Sequence, residues 1–188
     1  MVVEGETETR VHLRSEKQGH RARQVRLSLV EPLDGPRVLF LDIDGVLNDS
    51  KLTAQCKRDG LDGTEHFNPE SVVLLNKIVI DTGAVVVVSA SIRKLCTVKE
   101  LQALFSRNGF QGKVVDKTPS LGGVRGDEIQ AWLDLNPCSS YVIVDDSNDM
   151  AHLHHRLVHV RHGYANGGLL KSHYHEIRRL FGLDYRPL

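Results

Sequence analysis

From Arg37 onward, short apolar runs alternate with segments of helical period. Val38–Ile43, Ala84–Val88, Lys113–Val115, Tyr141–Val144 and Leu157–Val160 read as strands, and AVVVV and YVIV are apolar at every position. Between them lie helical patterns. In Pro69–Ile80, Asn68 suits the cap, Pro69 suits the first turn, and Val72, Val73, Leu75, Ile78 and Val79 make an apolar face. Thr82-Gly83 ends that helix. Thr97–Asn108 opens on a capping-box pair, Thr97 and Glu100, and stops at Gly109. Gly126–Leu135 and Gly167–Phe181 predict two more helices, and Asn48–Phe67 reads as a polar loop. Strands apolar on both faces and separated by helices predict an α/β domain: a Rossmann-like parallel sheet with helices on both faces.

Residues 1–36 have a different composition. They carry few large apolar residues, and Pro32 and Pro36 close the segment. This stretch fits either a solvated, charged tail or a basic arm for a polyanion, built on Arg10, Arg14, Lys17, Arg21, Arg23 and Arg26. Arg26–Val30 (RLSLV) alternates as an edge strand would. Residues 37–188 then form one domain.

The 188 residues balance 24 basic against 24 acidic side chains, so no global charge draws the chain to nucleic acid or membrane. Cys56, Cys96 and Cys138 form an odd, widely spaced set without C-x-x-C, which argues for a reducing compartment and against a disulfide framework or zinc ribbon. No apolar run nears the roughly 20 residues of a membrane span. The N-terminus is too acidic and polar for a secretory signal. A cytoplasmic protein is expected.

The candidate chemistry lies where strands end. Asp42 and Asp44 follow the first strand, Ser89 and Ser91 follow VVVV, and Asp145 and Asp146 follow YVIV. Ligands of open parallel sheets bind at these carboxyl ends. Grouped carboxylates repel one another and call for a cation, and hard oxygen donors suit Mg²⁺. The late histidines, including His152, His154, His155, His159 and His162, lack a cysteine or carboxylate set to complete a transition-metal site and read as solvated surface. No G-x-x-x-x-G-K-[ST] and no G-x-S-x-G occurs, which argues against a kinase half and an esterase.

In order and spacing, Asp42-Ile43-Asp44-Gly45, Ser89 and Asp145-Asp146 resemble motifs I, II and IV of the haloacid dehalogenase (HAD) superfamily, over residues 37–170. VLFLDIDGVLN, TGAVVVVSASIR, TPS, RGDEIQAWL and YVIVDD are similar to a narrower group, the HAD domains of Swiss-army-knife RNA repair proteins. The phosphatase half of polynucleotide kinase-phosphatase is a more distant likeness. Where that group often reads SSSWR, this chain has Ser89-Ala90-Ser91-Ile92-Arg93.

The resemblance implies an Mg²⁺-dependent phosphomonoester hydrolase. Asp42 would be the nucleophile that forms an aspartyl-phosphate, and Asp44 the general acid and base. Ser89, with Ser91 nearby, would bind the phosphoryl group. Asp146, Asp42, the backbone carbonyl of Asp44 and, next, Asp145 would hold the metal. For the motif III cation, Arg125 is the first choice and Lys117 the second, while Arg93 would contact a substrate phosphate. Neither interval between the motifs has room for a cap domain, so the site should be open to the end of a large substrate. A nucleic-acid 3′-phosphate is the leading candidate, with phosphoproteins and small phosphate esters beside it. The alternative is a non-catalytic module that binds a phosphorylated end or a partner protein.

Overall fold

The computed structural model describes residues 35–61, 66–161 and 168–188. The basic arm and the strand at Arg26–Val30 lie outside the described residues, as does His162.

Five strands form one sheet: β1 (Arg37–Leu41), β2 (Val85–Val88), β3 (Val114–Lys117), β4 (Ser140–Asp145) and β5 (Leu157–His159). Their order is β3-β2-β1-β4-β5, and every pair is parallel. The helices are α1 (Ser50–Arg58), α2 (Pro69–Thr82), α3 (Val98–Arg107), α4 (Arg125–Leu133) and α5 (Lys171–Leu180), with 3₁₀ turns at Ser91–Lys94 and Ala151–Arg156. This is the expected Rossmann-like α/β sandwich, and no cap domain stands over it among the described residues.

Each central strand is buried on both faces because each face has its own core. Leu39, Leu41, Val86, Val88, Val142 and Val144 pack under α2, α3 and α5. Val38, Phe40, Val87 and Ile143 pack against Ile129 and Trp132 of α4, with Met150 and Leu153 beyond them. Phe40 meets Trp132 edge-on at 5.3 Å between ring centroids. The predicted caps form: Asn68 accepts from the Glu70 amide, and Thr97 and Glu100 make a reciprocal box.

The structure corrects two expectations. The interval Asn48–Phe67 is not all loop: Asp49 caps α1 by accepting from the amides of Lys51 and Leu52. The final helix starts at Lys171 rather than Gly167.

One irregularity re-aims the sheet edge. Val86 lies opposite Val114, but Val87 lies opposite Asp116, so Val115 is an extra, bulged residue in β3. After the bulge, Asp116 faces α4 and accepts from Trp132 Nε1 at 2.7 Å.

Candidate active site

The strand ends converge as the motif spacing predicts. Leu41 pairs with both Val88 and Val144, so Asp42, Ser89 and Asp145, each one residue further on, stand side by side. Asp42 and Asp145 are 4% and 0% exposed. Carboxylate oxygens of Asp42, Asp145 and Asp146 all lie within 4.8 Å of one another, and no His or Cys joins the group among the described residues.

Arg125, the first residue of α4, closes this group. Its Nη1 donates to Asp42 Oδ1 at 2.6 Å and to Asp145 Oδ2 at 2.8 Å. Gly126 makes that approach possible: a β-carbon there would lie 2.3 Å from the carbonyl of Met150, and its amide donates to Asp149 O.

Three carboxylates face one guanidinium, and the imbalance appears in their acidity. Burial, joined by the neighbouring Asp42 charge, pushes Asp145 up to about 7. Burial likewise raises Asp42, against the opposing pull of Arg125, and raises Asp146. Burial opposes the Arg125 charge, yet Asp42 and Asp145 prevail and hold it firmly protonated. Three hard oxygen donors with excess negative charge fit a divalent cation, to which Asp42, Asp145 and Asp146 would be ligands.

Asp44 lies outside that group. It is exposed, and Asn48 Nδ2 donates to its Oδ1 at 2.9 Å. Asn48 Oδ1 also accepts the Gly45 amide at 3.1 Å. Asn48, 1% exposed, thus ties the Asp44 side chain to the turn that follows β1. Sequence reading missed it, although its place four residues after Asp44 within one turn was a usable signal.

The other predicted residues divide. Ser89 is fully buried and its Oγ has no hydrogen-bond partner among the described residues. Ser91 is exposed and opens a 3₁₀ turn. Arg93, expected at a substrate phosphate, is bound within the protein instead. It is 3% exposed, and its five N–H donors are met by the carbonyls of Ser89, Ala90, Thr118 and Pro119 and by Glu128 of α4. Glu128 also accepts the Leu121 amide at 2.9 Å. Lys117, the second choice for the motif III cation, is also held within the protein. Its Nζ donates to the carbonyls of Arg93 at 2.7 Å and Cys96 at 2.6 Å, on the side of the sheet away from α4. The β3 bulge is the physical reason, since it exchanges the faces of the residues that follow it.

His152, His154 and His155 are exposed, and none of them joins the carboxylate group. Cys56, Cys96 and Cys138 are free thiols. Among the described residues, no helix is long and apolar enough to cross a membrane.

A family model described as "HAD domain in Swiss Army Knife RNA repair proteins" matches residues 38–167, from the first residue of the central apolar run past the last strand. No curated protein and no solved structure gives a match. On this match, and with the strand-end motifs side by side, the chain belongs to the HAD-domain family of Swiss Army Knife RNA repair proteins.

Proposed function

We propose that this protein is an Mg²⁺-dependent phosphomonoesterase that removes terminal phosphates from nucleic acids, 3′-phosphates among them, in the cytoplasm. One observation carries the proposal: a buried Asp42 shares Arg125 with Asp145 at the sheet edge where Asp146 completes an acidic group.

Asp42 supplies the attacking carboxylate oxygen. It bonds to phosphorus as the bond from phosphorus to the leaving oxygen breaks, and Asp44 gives that oxygen a proton. In the second half, Asp44 takes a proton from water, the water oxygen bonds to phosphorus, and the Asp42 ester bond breaks to release phosphate. Asn48 donates to Asp44 and so fixes the side chain that would make both transfers. Arg125 donates to the attacking carboxylate itself, next to where phosphoryl charge gathers. Asp42, Asp145, Asp146 and the Asp44 carbonyl would hold Mg²⁺, which supplies further charge neutralisation at the phosphoryl oxygens.

The lack of a cap domain among the described residues supports a large substrate. Helix α1, which follows the Asp42–Asp44 turn, exposes Lys51, Lys57 and Arg58 and contains no acidic residue, a surface suited to a phosphate backbone. The matched family's description names RNA repair proteins. Three free thiols support a reducing compartment.

The test is phosphate release from a 3′-phosphorylated oligonucleotide and from an aryl phosphate, with and without Mg²⁺, by wild type and Asp42→Asn. Mg²⁺-dependent turnover that favours the oligonucleotide and vanishes in Asp42→Asn is expected. Equal release by wild type and Asp42→Asn overturns the mechanism. Turnover of the aryl phosphate alone overturns the nucleic-acid substrate but not the chemistry.

A further inference from the structure

Four side chains form one row along the carboxyl edge of the sheet: Thr118, Ser89, Asp42 and Asp145. The ladder sets their order. Val88 pairs with Lys117 and with Leu41, and Leu41 pairs with Val144. The next residue on each strand continues the pattern: Thr118 N donates to Val88 O, Ser89 N to Leu41 O and Asp42 N to Val144 O, each at 3.0 Å.

All four face the same way. Side chains two apart on a strand share a face. Two positions before the row stand Asp116, Val87, Phe40 and Ile143. The last three pack with Ile129 and Trp132 of α4, and Asp116 accepts from Trp132. The row therefore looks toward α4, whose first residue already holds Asp42 and Asp145.

The two hydroxyls in this row are both unsatisfied. Thr118 is 2% exposed, and its Oγ1, like Ser89 Oγ, has no hydrogen-bond partner among the described residues. Its amide is used by Val88 O and its carbonyl by Arg93 Nε at 3.2 Å, so only the hydroxyl remains. A buried hydroxyl without a partner is costly, because it has given up its hydrogen bonds to water and gained none in return. Two neighbouring ones, next to a carboxylate and a guanidinium, match a ligand with several acceptor oxygens. The β3 bulge brings Thr118 to this position and turns Lys117 away from it.

We propose that Thr118 is a second phosphoryl-binding hydroxyl, acting beside Ser89 on the oxygens of a phosphate monoester. This rests on the phosphomonoesterase reading above. Arg93 is then the positioning residue for the pair, since it grips the carbonyls of Ser89 and Thr118.

Thr118→Val keeps the shape and removes the hydroxyl, Thr118→Ser keeps the hydroxyl, and Thr118→Ala repeats the deletion in a smaller side chain. Two readouts are needed: KM and kcat for an aryl phosphate with Mg²⁺, and the rise in melting temperature caused by inorganic phosphate. Thr118→Val and Thr118→Ala should raise KM by about tenfold or more, as loss of one hydrogen bond to a charged group does, and shrink the phosphate-induced rise. Thr118→Ser should restore both. Phosphate-free Thr118→Val should melt no lower than wild type, because it loses no internal hydrogen bond. Unchanged KM and an unchanged phosphate response in Thr118→Val overturn the proposal. So does a lower phosphate-free melting temperature with the phosphate response intact, which would make the hydroxyl structural. If wild type hydrolyses no phosphate ester yet responds to phosphate, the phosphomonoesterase reading fails, and the Thr118 variants still decide this one. Neither turnover nor phosphate response in wild type overturns both.

Discussion

The Asp146 carboxylate rests directly against the backbone of Gly45: a β-carbon at residue 45 would lie 2.3 Å from Asp146 Oδ2. Gly45 also has φ +75°, a conformation that side chains disfavour. The glycine that turns the chain out of β1 therefore also makes room for a carboxylate of the acidic group. Gly45→Ala should lose about 1–2 kcal/mol to backbone strain alone, and it should displace Asp146. Thermal melts with and without Mg²⁺ check this. The variant should melt lower and gain much less from Mg²⁺ than wild type does. An undiminished Mg²⁺ effect would mean that Asp146 does not need this space.

Asn48 joins Asp44 to the Gly45 amide, and both bonds end on one buried side chain. Asn48→Ala removes the acceptor of a buried amide and frees Asp44, so a stability loss of about 1–3 kcal/mol is expected. Turnover should fall at nearly constant KM, by less than the ~10²–10⁴-fold attributed to a positioned general acid. Steady-state kinetics with an aryl phosphate decide it, and a changed KM with normal kcat would point to substrate binding instead.

The Arg93–Glu128 pair is buried, with the two side chains 3% and 7% exposed. Glu128→Ala strands a buried guanidinium and orphans the Leu121 amide. It should cost about 3–5 kcal/mol in urea unfolding, the penalty for breaking a buried pair from one side. Arg93→Lys should fail to substitute, because an ammonium has three donors for five acceptors. Ser91→Ala, at an exposed position, should stay within about 0.5 kcal/mol of wild type. A mild Glu128→Ala effect would show that water reaches the pair.

Asp145 titrates near 7 in the folded, metal-free protein and near the ordinary aspartate value, about 3.9, when unfolded. The folded state thus holds the extra proton between those values. The resulting stability is fully present below about pH 4 and is lost as pH rises through about 7. Asp42 and Asp146 shift in the same direction. Metal-free protein should therefore melt progressively lower as pH rises from 5 to 8, and Asp145→Asn should flatten the trend. Because ligands bind metal deprotonated, stabilisation by Mg²⁺ should grow across the same window. A metal-free melting temperature that rises with pH would contradict the acidity assigned to this group.

The sequence by itself determined the strands, four of the five described helices and the convergence of three motifs. Strands such as Val85–Val88 and Ser140–Asp145 advertise burial on both faces, and Asn68, Thr97 and Gly109 mark helix ends through local hydrogen bonds and backbone conformation. Such signals are contained within a few adjacent residues. Helix α1 escaped because it is polar along most of its length and buries only Cys56.

Tertiary structure alone decided which polar side chains meet at the strand ends and which are bound elsewhere. Arg125 opens a helix, a local signal that made it the first choice, but nothing local shows that Arg93 and Lys117 are taken up by backbone carbonyls. The bulge at Val115 depends on pairing with β2, a partner about 30 residues away in sequence, and it aims Thr118 rather than Lys117 at α4. Arg93 is consumed by carbonyls from two strand ends and a carboxylate from α4 that meet only when the sheet is built. Arg125 reaches Asp42 across 83 residues of chain because Gly126 lets α4 close on the loop after β4. Charge and hydrogen-bonding capacity are properties of single residues, but their use is set by distances that only the folded chain defines.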